Sequence, residues 1–163
     1  MKIFTLGYQG SSLETYVAAL ADAGIDIVVD VRETPWSYKP GFSKTPLSNY
    51  LGNAGIRYVH VKSAGNPSKN RKTAKNAEEC LTRYRDHLTQ HPECLDELSA
   101  LLLDARKQKQ TVCFTCFERH ASECHRSVIM EELAKREHRL VAVHLLTETR
   151  VLRPFADTRV LQP

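Results

Sequence analysis

The chain has 163 residues and a net charge of +4, with 42% hydrophobic and 26% charged residues. That length supports one domain with its own core. The composition excludes a low-complexity chain, and the lack of a long apolar run excludes a helical membrane protein. Five cysteines, an odd count, follow a start without a secretory pattern, so reduced thiols and a cytoplasmic setting are expected rather than a disulfide frame.

Residues 2–6 form a short apolar run that ends at Gly7 and predict a first strand. Leu13, Tyr16, Val17 and Leu20 recur at helical spacing, with Ser11 or Ser12 as the cap and Gly24 as the stop. "IDIVVDV" is apolar and β-branched on both faces, which suits a parallel sheet covered on both sides. Prolines and a glycine make residues 32–44 a loop. Leu47, Tyr50, Leu51 and Ala54 mark a helix with proline in its first turn.

"IRYVHV" predicts a third strand. Residues 62–75 read as a long basic loop with Lys62, Lys69, Arg71, Lys72 and Lys75 and no acid. Two helices follow, one on Cys80, Leu81, Tyr84 and Leu88, the other starting at Pro92 and carrying Leu95, Leu98, Leu102 and Ala105. "TVCFTCF" predicts a fourth strand, "SECHRSVIMEELAKR" a helix capped by Ser122, and "RLVAVHLL" a fifth strand. Residues 147–163 lack a period and carry Arg150, Arg153 and Arg159; they read as a tail on a single domain over residues 1–146.

This alternation predicts an α/β fold: a three-layer Rossmann-like sandwich, with a mostly parallel sheet of about five strands and helices on both faces. Ligands of such sheets sit beyond the carboxyl ends of the strands. Residues 7–12, 32–44, 62–75 and 116–125 are therefore expected to share one edge and one cleft.

Each of these loops has a chemical and a structural reading. "GYQGSS" can offer amides to a phosphate, or it is only a tight turn. Arg32 can fork onto a phosphate, with Asp30 as its partner or as a base. Trp36 and Tyr38 can stack on a nucleobase, or Trp36 can anchor the core. The basic loop can track a nucleic-acid backbone, or it is a solvated segment.

"CFTCFERHASECHRS", residues 113–127, holds three of the five cysteines. Cys113, Cys116, Cys124 and His125 suggest metal ligands. Yet adjacent helical residues point about 100° apart, and strand residues three apart face opposite sides, so no metal and no cofactor are expected. Cys113 and Arg119 have the C-x5-R spacing of cysteine phosphatases, but "FTCFE" is too bulky for their compact loop. Cys116, at a strand end, and Cys124, in the first turn of a helix, are candidate nucleophiles. The helix start and Arg126 lower a thiol there, and His125 can move a proton. The structural alternative is that both thiols simply pack. Arg126 opposes the helix dipole, so it either pairs with Glu118 or meets an oxyanion.

"TLGYQGSSLETYVAAL", "VVDVRETPWSYKPGFSK", "LGNAGIRYVHV" and "CFERHASECHRSVIMEEL" together resemble the domain of unknown function 488 family. The resemblance runs from Ile3 to Leu145. It implies a compact Rossmann-like α/β fold and the cytoplasm, and it implies no settled activity. By position it carries over Gly7, Tyr8, Asp30, Val31, Arg32, Pro35, Ser37, Pro40, Phe42, Cys116, Glu118, Cys124, His125 and Arg126.

The combined expectation is an enzyme or ligand-binding protein for a phosphate-bearing substrate, a nucleotide or nucleic acid. Asp30, Cys116, Glu118, Cys124 and His125 are its candidate catalytic residues. Gly7, Tyr8, Arg32, Ser37, Lys39 and Arg126 would hold the anion, with Arg32 and Arg126 facing one hollow. Two alternatives stay open. One is a non-catalytic nucleic-acid module using residues 62–75 and the tail arginines; the other is a thiol-based redox or metal sensor. A monomer or homodimer without membrane contact fits all three.

Overall fold

A computed structural model of the chain describes residues 1–137 and 139–147. The strands are β1 (Lys2–Gly7), β2 (Ile27–Asp30), β3 (Arg57–His60), β4 (Val112–Cys116) and β5 (Val141–Leu145). The helices are α1 (Leu13–Asp22), α2 (Lys44–Asn53), α3 (Ser68–Thr73), α4 (Ala77–Gln90), α5 (Glu93–Lys107) and α6 (His125–Arg136). The sheet order is β3-β2-β4-β1-β5, and every neighbouring pair is parallel. This is the expected sandwich, with five parallel strands. Among the described residues no helix is long and apolar enough to cross a membrane.

The period of two along each strand sorts the side chains into two cores. Ile27, Val29, Val112 and Phe114 pack with Leu88, Leu95, Leu98, Leu102, Ile129 and Leu133 of α4, α5 and α6. Val28 and Cys113 face the other way, onto Tyr16 and Leu20 of α1 and Leu47 and Leu51 of α2. The middle strands β2 and β4 are buried at every position, whereas the edge strands β3 and β5 are partly exposed.

That two-faced cover positions the site. The loops after β1 and β2 leave for the α1–α2 face, and those after β3 and β4 for the opposite face. β4 lies between β2 and β1, so its loop diverges from those of both neighbours and a crevice opens at the carboxyl edge.

Three local expectations change. Residues 62–75 are not a long loop: a single 3-10 turn, Lys62–Ala64, leads into α3. A close approach fixes the join, since a Cβ on Gly65 would lie 2.2 Å from the Glu33 backbone. Helix α6 starts at His125, because a 3-10 turn, Ala121–Glu123, takes up Ser122 and leaves Cys124 as the extended N-cap residue. Trp36 is no core anchor; it is 56% exposed. Arg150, Arg153 and Arg159 lie outside the described residues.

Candidate functional site

A cavity of about 540 Å³ opens at the carboxyl edge of the sheet, and all four expected loops line it. Tyr8 comes from the first. Arg32, Glu33, Trp36, Ser37, Tyr38 and Lys39 come from the second, Asn66 and Arg71 from the third, and Cys116, Phe117, Glu118, Glu123 and His125 from the fourth. The volume suits a small organic ligand.

Asp30 and Arg32 form a strut beneath this cavity. Arg32 Nε and Nη2 donate to the two Asp30 carboxylate oxygens at 2.8 and 2.5 Å. Arg32 Nη1 donates to the Tyr8 hydroxyl at 2.8 Å and to the Phe42 carbonyl at 2.9 Å. Asp30 also accepts from the Tyr58 hydroxyl at 2.6 Å and from the Arg32 amide. A guanidinium has five N–H groups, so Arg32 keeps one to offer a ligand. Asp30 is fully buried with both oxygens engaged, which leaves it no geometry for acting as a base on substrate. Tyr8 stacks on Phe42 with centroids 4.4 Å apart, and burial pushes its phenol up.

The floor of the cavity holds the thiols. Cys116 Sγ donates to the Glu118 carboxylate at 3.2 Å and lies 3.7 Å from His125 Nδ1. Cys124 Sγ lies 3.8 Å from the same nitrogen. His125 Nε2 donates to the Val31 carbonyl at 2.7 Å, which turns Nδ1 toward both sulfurs. One donor atom from each of Cys116, Glu118, Cys124 and His125 falls within 4.8 Å of all the others. The expected divergence of Cys124 and His125 fails because Cys124 is not helical: at φ −125° and ψ 142° it is extended, so the 100° rule does not apply. Cys113 does face away, as expected, and burial holds its thiol up at about 12.

Charge is unevenly shared within this cluster. Burial drives the Cys124 thiol up, but the Cys116 thiol, His125 and Arg126 outweigh it and hold Cys124 well below its ordinary value. Cys116 is held well above its ordinary value by its contact with Cys124 and by burial. Burial raises the Glu118 carboxyl. For His125 burial works downward, and the neighbouring Cys124 thiolate overcomes it and raises the ring. The two thiols are thus pushed apart, Cys124 toward the thiolate and Cys116 toward the neutral form that faces the cavity.

Arg126 does not reach the cavity wall. It is 1% exposed, its Nε donates to Cys124 Sγ at 3.2 Å, and its Nη2 donates to the Glu118 carbonyl at 2.6 Å. The expected carboxylate pair with Glu118 is therefore a bond to the Glu118 backbone, and the expected shared hollow with Arg32 is replaced by two separate supports. Gly7 makes room for this: a Cβ there would sit 1.7 Å from the Glu118 carbonyl oxygen. The first-loop amides of Tyr8, Gln9 and Ser11 are spent on the carbonyls of Cys116, Phe117 and Tyr8, so they cradle the protein's own loop.

Ser37 and Lys39 line the cavity as expected. Of the basic segment only Arg71 reaches it, beside Glu33 at 3.1 Å. Lys69 lines a separate hollow with Arg83, Asp86 and His87. Lys62, Lys72 and Lys75 are exposed elsewhere. The sequence reading missed the far wall, where Asn66 Nδ2 donates to Cys80 Sγ at 3.3 Å and Leu81 and Glu123 contribute surface. The signal was thin: Asn66 lies within the segment expected as a basic loop, and Cys80 is one residue of an apolar helical stripe.

Among curated proteins and among solved structures, none matches this chain. A family model does match, over residues 12–133, and its span takes in the Asp30–Arg32 strut and the whole Cys116–Arg126 cluster. The chain belongs to the family described as domain of unknown function DUF488.

Proposed function

We propose that the protein is an enzyme that takes a phosphate-bearing aromatic substrate, a nucleotide or the end of a nucleic-acid strand, into the cavity at the carboxyl edge of its sheet. One observation carries this reading: an exposed aromatic pair and a lysine stand at the rim of the same cavity whose floor holds a thiol, a carboxyl and an imidazole. Trp36 and Tyr38 are 56% and 92% exposed, with ring centroids 4.2 Å apart. Exposed rings beside a cleft offer a face for a base to stack on. Lys39 stands beside them with no carboxylate partner among the described residues. The Arg71–Glu33 pair is exposed, so Arg71 can exchange its carboxylate for a phosphate at little cost.

In this reading Ser37, Lys39, Arg71 and the one spare Arg32 N–H hold the anion. Cys116, Glu118 and His125 meet the reacting bond. Asp30, Tyr8, Gly7, Cys124 and Arg126 position them. A cytoplasmic setting belongs to the same proposal, because all five cysteines are free and reduced thiols persist there. A purely electrostatic nucleic-acid module has less support, since Arg71 alone of the basic segment faces the cavity.

Calorimetry against a panel of nucleotides and short oligonucleotides tests the proposal. Trp36→Ala should weaken each hit by about 5- to 150-fold, the worth of one stacked base, and Lys39→Ala should weaken phosphorylated hits more than their nucleosides. If both variants bind and turn over every hit as the parent does, the reading fails.

A further inference from the structure

We infer that Cys116, Cys124 and His125, with Glu118 as the fourth donor on the cavity side, bind one zinc-like divalent transition-metal ion. The first argument is spacing. Bond lengths of about 2.3 Å to sulfur and about 2.0 Å to nitrogen or oxygen set the edges of a tetrahedral zinc site at roughly 3.8 Å between sulfurs, roughly 3.5 Å from sulfur to nitrogen or oxygen, and roughly 3.3 Å from nitrogen to oxygen. The separations of Cys116 Sγ from His125 Nδ1, of Cys124 Sγ from the same atom, and of Cys116 Sγ from Glu118 are 3.7, 3.8 and 3.2 Å. Three of the six donor–donor edges therefore lie within about 0.3 Å of such a tetrahedron, and the other three are no longer than 4.8 Å.

The second argument is the support around them. A ligating histidine needs its other nitrogen fixed, and His125 Nε2 is held by the Val31 carbonyl at 2.7 Å. The ring is braced from the side by Tyr84, edge-on at 5.1 Å, whose hydroxyl is tied to the Ala64 carbonyl. Arg126 Nε touches Cys124 Sγ at 3.2 Å, as an outer donor to a ligating thiolate does.

The third argument is charge. Two thiolates and a carboxylate around a divalent ion leave one negative charge. The buried Arg126 guanidinium cancels it, so the assembly is neutral inside the protein. Soft sulfur with imidazole selects zinc-type ions over magnesium or calcium.

The accessibility of the donors gives the site its direction. Cys116, Glu118 and His125 line the cavity and Cys124 lies behind them. Glu118 is the ligand a substrate oxygen or a water can displace, since its side chain stands at the cavity edge while both thiols are buried. Placing the ion against a substrate, so that Cys116, Glu118 and His125 meet the reacting bond through it, rests on the function proposed above; binding of the ion does not.

The test uses the reduced full chain, stripped with a chelator and titrated with cobalt(II) alone. One equivalent should give the d–d bands of a tetrahedral site and a thiolate-to-cobalt charge-transfer band. Cys116→Ser or Cys124→Ser should each weaken the charge-transfer band, the double variant should lose it, and Cys94→Ala should keep it. Glu118→Gln guards against misfolded cysteine variants: it should keep the charge-transfer band and shift the d–d bands. A parent without the band, or a double variant that retains it, overturns the site; unshifted d–d bands in Glu118→Gln overturn the fourth ligand. Trp36→Ala and Lys39→Ala should leave the cobalt spectrum unchanged, so this inference and the substrate reading can fail separately.

Discussion

Arg126 reaches back two residues along the chain and donates from Nε to Cys124 Sγ at 3.2 Å, while its Nη2 holds the Glu118 carbonyl at 2.6 Å. One guanidinium thus ties the start of α6 to the loop after β4. It also leaves Nη1 buried with no hydrogen-bond partner among the described residues. Burial disfavours this charge, and the Cys124 sulfur beside it, drawn toward the thiolate, offsets that cost. Arg126→Met should raise the Cys124 titration toward the ordinary thiol range, read in metal-free protein as ultraviolet thiolate absorbance against pH. The same variant should lose about 3 kcal/mol in urea unfolding, the low end for breaking a buried pair, because Cys124 can take up a proton once the cation is gone. An unmoved thiolate midpoint would show that Arg126 does not set the charge of Cys124.

Gly7 and Gly52 make a matched pair of opposite sign. A Cβ at Gly7 meets the Glu118 carbonyl oxygen at 1.7 Å and Arg126 Nη2 at 2.8 Å, and the first obstacle is backbone. Gly7→Ala should cost about 3 kcal/mol, the upper end for overpacking, and should disturb the thiol cluster with it. A Cβ at Gly52, in α2, meets nothing within 4 Å. Gly52→Ala should stabilise by about 0.5–1 kcal/mol by restricting the unfolded chain. Urea midpoints of the two variants, measured side by side, check both signs.

Asp30 and Trp36 separate stability from ligand binding. Asp30→Asn strips the bidentate partner from a guanidinium only 6% exposed and the acceptor from Tyr58, and should cost about 3–5 kcal/mol. Trp36→Ala removes a ring that stands mostly in solvent, and should change stability by less than about 0.5 kcal/mol. Ligand affinity should respond in the reverse order. A Trp36→Ala variant as destabilised as Asp30→Asn would return Trp36 to the role of core anchor.

The sheet and the shared edge of four loops were legible because they depend on local pattern: β-branched runs on both faces of "IDIVVDV" and alternation of strand and helix. The cluster of Cys116, Glu118, Cys124 and His125 was legible as residue types but not as an arrangement. Ser122 is the stronger N-cap type, and it gave way because the turn that brings Cys124 and His125 together needs residues 121–123 for itself. Arg32 and Arg126 looked alike in sequence. Whether a guanidinium faces a cavity or a thiolate depends on partners such as Tyr8, Phe42 and the Glu118 carbonyl, and the sequence holds no local mark of those contacts. Hydrophobicity alone leaves Trp36 either a stacking face or a core anchor; its exposure is set by the loop in which Ser43 accepts from the Ser37 amide at 3.1 Å.

The thiolate–imidazolium pair should leave a pH signature on stability in the metal-free protein. Cys124 is depressed in the fold from an ordinary value of 9.0, so its contribution is complete above that value and is lost as pH falls through the lowered one. His125 is raised from 6.5, so its contribution is complete below 6.5 and is lost as pH rises through the raised value. Both charges coexist only between the lowered thiol value and the raised imidazole value; unfolding free energy should climb with pH above the lowered thiol value, and above 6.5 the loss of the His125 contribution should offset that climb. Cys124→Ser should remove the acid-side slope. It should also let His125 fall back, because the thiolate that overcame its burial is gone. Unfolding free energies taken across the pH range for parent and variant decide the matter: equal acid-side slopes in the two proteins would mean that Cys124 carries no charge in the fold.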